Sequence, residues 1–147
     1  YGERVGALSV VGPDANATKA VQSQVKRIIR TIYSGPSTHG AALVAGVLAS
    51  SELRALWESE LGAMRTRIHA LRAGLVEKLA ALGAPEFAFI QQQAGMFSYS
   101  GLSKAQVDRL RDEFGIYAVG TGRICVAALN QQNLAYVAEA VRTVSRG

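Results

Sequence analysis

Three arginines carry the best case for chemistry in this sequence. Arg4 directly precedes the apolar stretch Val5 to Val11. Arg30 closes an isoleucine-rich segment just before the breaker Ser34-Gly35-Pro36. Arg123 opens the short apolar run Ile124 to Ala127 after Gly120-Thr121-Gly122. A guanidinium at the mouth of a buried element is well placed to hold an anion, because its planar fork matches carboxylate and phosphate and stays charged when partly desolvated. Taken singly, each is also what an ordinary rim arginine looks like. The other catalytic sets are missing. His39 and His69 lie far apart, and the single cysteine, Cys125, cannot supply a zinc site, so no metal is expected. There is no GxGxxG or Walker-type phosphate loop, and Gly120-Thr121-Gly122 reads as a turn. His69 reads as a surface residue and His39 as a structural hydrogen-bonding residue at a helix start.

Composition narrows the field. The 147 residues are 49% hydrophobic and 18% charged, enough apolar material for a packed core, which excludes a disordered tail. The net charge of +5 comes from 16 basic and 11 acidic residues. The basic residues are scattered and alternate with Glu and Asp, so no nucleic-acid partner is expected. No apolar run approaches the ~18 residues of a membrane span, so no membrane partner is expected either. One cysteine rules out a disulfide framework and fits a reducing compartment, hence a cytoplasmic location. The chain opens at Tyr1, not Met, and runs almost at once into apolar sequence, which reads as a piece of a longer polypeptide.

The elements that must position the arginines follow from periodicity and punctuation. Val5 to Val11 predicts a short, mostly buried strand closed by Gly12-Pro13. Asp14 predicts an N-cap for a helix whose apolar face is Val21, Val25, Ile28, Ile29 and Ile32. Thr38 to Ala49 predicts a buried helix of small residues. From Ser51 to Leu82, leucines and other apolar residues recur every three or four positions, with Ser51 as cap and Gly83 as stop. At ~1.5 Å per residue that helix is roughly 45 Å long, which suits either a link between two domains or a coiled coil. Gly62 and Gly74 interrupt the pattern. Met96 to Ser100 predicts a strand, Ser103 with Gln106 a capping box for a helix over 105–114, and Asn130 a cap for the last helix. Ile116 to Val119 and Ile124 to Ala127 predict a hairpin around the Gly-Thr-Gly turn.

In these contexts the sequence resembles the C-terminal part of the aspartate and aromatic amino acid aminotransferases, pyridoxal-phosphate enzymes of fold type I. Tyr1-Gly2-Glu3-Arg4-Val5-Gly6 looks like the segment shortly after that family's catalytic lysine. Ser34-Gly35-Pro36-Ser37-Thr38-His39-Gly40 looks like its Ser-Asn-Pro-Pro-x-His-Gly turn. Gly95-Met96-Phe97-Ser98-Tyr99-Ser100-Gly101-Leu102 matches its Gly-Met-Phe-Ser-aromatic segment, and Gly122-Arg123-Ile124-Cys125-Val126-Ala127 its Gly-Arg-x-x-Val-Ala strand. The four blocks fall in the family's order and spacing.

The resemblance implies an α/β fold class: the end of the large, cofactor-binding domain over 1–63 and the α+β small domain over 64–147, bridged by the helix 51–82. It implies pyridoxal 5'-phosphate as cofactor, with Arg4 at its phosphate and Tyr1 nearby. It implies that Arg123 clamps the substrate α-carboxylate, that Phe97 lines the pocket beside it, and that the Arg4 and Arg123 groups converge on one cavity. Arg30 is similar to the arginine that meets a dicarboxylate's distal group across a homodimer interface, with Tyr33 and Ser34 on the interface loop. The implied reaction is transamination of an aromatic or dicarboxylic amino acid with a 2-oxo acid such as 2-oxoglutarate. The catalytic lysine is expected just upstream of Tyr1, so these residues alone should be inactive. Gly35 and Ser37 depart from the family turn, which weighs against a strict dicarboxylate preference. Two other classes compete: a non-catalytic helical dimerisation module using the 53–82 leucine stripe, and a nucleic-acid binder using the scattered arginines.

Overall fold

A computed structural model describes residues 2–147. It divides into two compact units, Tyr1–Glu58 and Ser59–Gly147, with the division inside one continuous helix.

The first unit holds α1 (Ala15–Tyr33), α2 (His39–Ala49) and the start of α3 (Ser51–Ala81). The Asp14 carboxylate accepts from the backbone N–H groups of Asn16 and Ala17, satisfying donors that a helix start leaves open. The Ser50 hydroxyl, not Ser51, accepts from Leu53 N–H at the start of α3. Two sequence expectations fail here. Residues 5–11 form no strand and are exposed; a strand exists only where a second one takes its backbone hydrogen bonds, and no described segment does so. The α2 helix forms, but only Gly40 is buried, because little in this unit covers its apolar faces. A Cβ on Gly40 would meet the exposed Val5 and Glu3 side chains, which would have to move aside.

The second unit contains every buried hydrophobic residue among those described. Its elements are the rest of α3, a 3₁₀ segment (Pro85–Gln92), β1 (Phe97–Tyr99), α4 (Lys104–Phe114), β2 (Arg123–Cys125), a short 3₁₀ turn (Val126–Ala128) and α5 (Leu134–Ser145). Leu71, Leu75, Val76 and Leu79 of α3 share one core with Val107 and Leu110 of α4 and with Leu134, Val141 and Val144 of α5. Gly83 (φ +76°) ends α3 in the left-handed region. Two arginines of the last segment close that end: Arg142 donates to the Leu82 carbonyl and Arg146 to the Gly83 carbonyl. The interruptions expected at Gly62 and Gly74 do not occur; the helix runs through both. Ser103 and Gln106 form the full capping box.

The hairpin expectation needs correction. β2 pairs antiparallel with β1, in the register Phe97↔Cys125, Ser98↔Ile124, Tyr99↔Arg123. Residues 116–119 keep only the bridge Val119↔Arg123, and Val126 turns into a 3₁₀ turn. Ser100 explains the choice of partner. Its N–H and its hydroxyl both donate to the Gly122 carbonyl, at 2.8 and 2.7 Å, anchoring the start of β2 to the end of β1. The last helix begins after Asn133, which makes no side-chain cap bond, and the Asn130 side chain accepts from Gln132 and Asn133 N–H in the turn before it.

Candidate functional site

The sheet register builds the second unit's candidate site. In an antiparallel pair, opposed residues share a face and successive residues alternate. Ser98 and Ile124 therefore face the core, while Phe97, Tyr99, Arg123 and Cys125 share the other face. Arg123 is the diagonal neighbour of Phe97, and its guanidinium carbon lies 4.8 Å from the centre of the Phe97 ring, a cation–π contact. Arg123 is exposed and makes no ion pair among the described residues. The ring covers the guanidinium from one side, and no described carboxylate pairs with its N–H groups. Gly122 (φ +83°) lets the chain pass this close to its neighbours: a Cβ there would sit 2.7 Å from the Leu102 carbonyl oxygen.

Two side chains hold β1 in place and a third holds the segment after β2; none is among the candidates read from the sequence. The Gln93 amide mimics a neighbouring strand, accepting from Tyr99 N–H at 2.7 Å and donating to Tyr99 C=O at 2.9 Å. Arg72 of α3 is 1% exposed; its Nε donates to the Ser98 hydroxyl at 3.2 Å and its Nη2 to the Gly95 carbonyl. Arg67, one turn earlier, donates to the carbonyls of Ala127 and Leu129 just beyond β2. A signal for Arg72 was present: it stands at i+4 from Ile68 and i−3 from Leu75, inside the apolar stripe of α3.

Arg4, Arg30, Tyr33 and Ser34 lie in the first unit, and all four are exposed. Tyr1 lies outside the described residues. Next to Arg4, Glu3 Oε1 meets His39 Nδ1 at 2.6 Å, so His39 makes a hydrogen bond at the helix start as expected, between two exposed side chains. Arg30 occupies the last turn of α1. Ser34 ends that helix at φ 62°, ψ −64°, with Gly35 N–H donating to Tyr33 C=O at 2.7 Å. This is a γ-turn with positive φ, a strained conformation for a residue bearing a Cβ. Ser34→Gly should therefore stabilise the chain against urea by about 1 kcal/mol; a loss of stability would show that the hydroxyl outweighs the strain.

An apolar recess of about 270 Å³, lined by residues including Leu110, Ile116, Ile124 and Val137, includes neither Arg123 nor Phe97. Among the described residues, the groups displaced from their ordinary pKa values lie on the exposed face of α4. Hydrogen bonds from Arg109 and Arg111 lower the Glu113 and Asp112 carboxyls, respectively. These solvated pairs stabilise little.

The family model of the class I and II aminotransferases matches residues 1–141. The chain belongs to this family. It is 61% identical over 142 residues to an aspartate aminotransferase of Pseudomonas aeruginosa, covering 96% of this chain and 36% of that protein. It is 51% identical over 146 residues to an aromatic-amino-acid aminotransferase of Escherichia coli, covering 98% and 36%. An aromatic-amino-acid aminotransferase of Burkholderia pseudomallei, solved covalently bound to pyridoxal phosphate, superposes with a TM-score of 0.87 at 64% identity, covering 98% of this chain and 36% of that one. The fold class expected from the sequence, the α/β transferases of fold type I, is the one these relatives share. The aminotransferase chain described here thus spans about a third of the length of its relatives, and over that stretch it is mainly helical with one small sheet.

Proposed function

We propose that the complete protein bearing this chain is a pyridoxal-phosphate-dependent aminotransferase that moves an amino group between an aromatic or dicarboxylic amino acid and a 2-oxo acid such as 2-oxoglutarate. The observation that carries this reading is the unpaired Arg123 guanidinium, steadied over Phe97 on an anchored strand, in a chain of this family. A bidentate grip on the α-carboxylate fixes the amino acid so that its Cα–H bond presents one orientation to the cofactor. Phe97 supplies an apolar wall that strengthens the pairing by excluding water.

Arg4 fits the cofactor's phosphate by chemistry: a solvent-facing guanidinium with no acid paired to it among the described residues suits a dianion. Tyr1 is assigned beside it. When bound, the cofactor supplies the electron sink for the bond broken at Cα. The lysine that moves the proton is assigned outside these residues. Lys19, Lys26, Lys78 and Lys104 are all exposed helix positions, and Lys104 pairs with Asp108 at 2.7 Å. Residues 1–63 are assigned to the large domain and 64–147 to the small one, joined by α3; the division of the chain inside that helix supports this. The working form is read as a cytoplasmic homodimer, with Tyr33, Ser34 and Arg30 on the loop and helix end toward the second subunit.

The test is glutamate formation from 2-oxoglutarate by the complete protein with cofactor, offered aspartate or phenylalanine. No transfer from either would overturn the proposal. Arg30 decides between the substrates. Arg30→Ala should lower kcat/KM for aspartate by roughly 10- to 100-fold, the worth of one charge-assisted hydrogen bond, and leave phenylalanine within about threefold. Equal losses would make Arg30 structural.

A further inference from the structure

We propose that Arg72 is a positioning residue for the Arg123 carboxylate grip, acting through Phe97; the proposal rests on the aminotransferase reading above. Arg72 is among the most deeply buried side chains of the chain, yet no carboxylate pairs with it among the described residues, and its Nη1 has no hydrogen-bond partner. Burying such a charge is costly, and an apolar side chain of similar volume is often as stable or more so. Stability alone therefore does not account for it. What it holds is specific. Nε reaches the Ser98 hydroxyl and Nη2 the Gly95 carbonyl, one residue after Phe97 and two before it. One rigid fork brackets Phe97 from the core side, and Phe97 carries the Arg123 guanidinium on the opposite face at 4.8 Å. Gly95 has positive φ (+84°), so the segment leading into β1 bends where Arg72 grips it. A lysine could satisfy one acceptor but has no planar fork to span both.

The experiment uses the complete protein and three variants: Arg72→Met, Arg72→Lys and Ser98→Ala. The last removes one acceptor without leaving a cavity of any size. The direct readout is the Arg123 Nε–Hε resonance in selectively labelled protein, shifted upfield in the wild type by the Phe97 ring current. Arg72→Met should return it toward the value of a free arginine, with Arg72→Lys and Ser98→Ala in between, while Tm stays within a few degrees. In parallel, Kd for 3-phenylpropionate, a plain monocarboxylate probe, should weaken roughly three- to thirty-fold in Arg72→Met, the range of a lost cation–π contact. An exposed control, Arg111→Met, should change neither. If the resonance and the Kd of all three variants match the wild type, Arg72 only fills space and the proposal is wrong. If Arg72→Met fails to fold, Ser98→Ala and Arg72→Lys decide by the same two readouts. Failure of the underlying reading looks different: the wild type would not bind the probe, or Arg123→Ala would bind it equally well.

Discussion

Arg123→Ala should lower kcat/KM of the complete protein by roughly 100- to 10,000-fold for aspartate and phenylalanine alike. Two charge-assisted hydrogen bonds to one carboxylate are worth about 3–6 kcal/mol together, and each 1.4 kcal/mol is a factor of ten. Both substrates carry the α-carboxylate, so both lose the same partner. This separates Arg123 from Arg30, whose loss should fall on the dicarboxylate. Arg123→Lys keeps the charge but not the fork, and should recover only part of the activity. Stability should fall by only about 0.5–1 kcal/mol, the worth of the exposed cation–π contact with Phe97, because the side chain makes no ion pair among the described residues. Steady-state kinetics with both amino acids, alongside thermal unfolding, reads out all of this. A loss confined to one amino acid would mean that Arg123 meets a side chain and not the common carboxylate.

Much of this arrangement was legible in the residues, and the failures share a cause. Capping and helix periodicity are local: Asp14, Ser103 with Gln106, Gly83 and the 53–82 stripe announce helix ends and faces without reference to the rest of the chain. Strand pairing is not local. Ile116 to Val119 and Ile124 to Ala127 look like a hairpin because they are adjacent, yet β2 takes its partner from 24 to 28 positions back, at Tyr99↔Arg123 through Phe97↔Cys125. The feature that decides it, the double donation of Ser100 to Gly122, has no sequence signature. Val5 to Val11 has strand composition but no described partner. The motif blocks single out Arg123 and Phe97 as candidates, and the structure sets the two in contact; Arg72 is not singled out although it stands inside the apolar stripe, because a helix stripe is searched for its apolar members and an arginine among them reads as an exception. Its burial shows that it belongs to the stripe.

The two halves of α3 should respond to the same substitution with losses of very different size. Leu79 is 0% exposed and belongs to the core of the second unit, so Leu79→Ala should cost about 2–5 kcal/mol, the lost transfer energy plus the cavity left behind. In a unit of this size each kcal/mol is worth roughly 4–8 °C, so Tm of the 147-residue chain should fall by at least about 10 °C. Leu61 is 41% exposed on the same stripe. Leu61→Ala trades one strong helix former for another and should shift stability by less than about 0.5 kcal/mol. A dimerisation seam running along 53–82 predicts otherwise: Leu61 and Leu79 would both sit between two helices, both substitutions would be costly, and Tm would rise with protein concentration. The burial of Leu71, Leu75, Val76 and Leu79 against α4 and α5 already commits the C-terminal half of the stripe to the core of its own chain. A side chain packed there has no face left to offer a second copy, which is why position 79 and not position 61 should carry the loss.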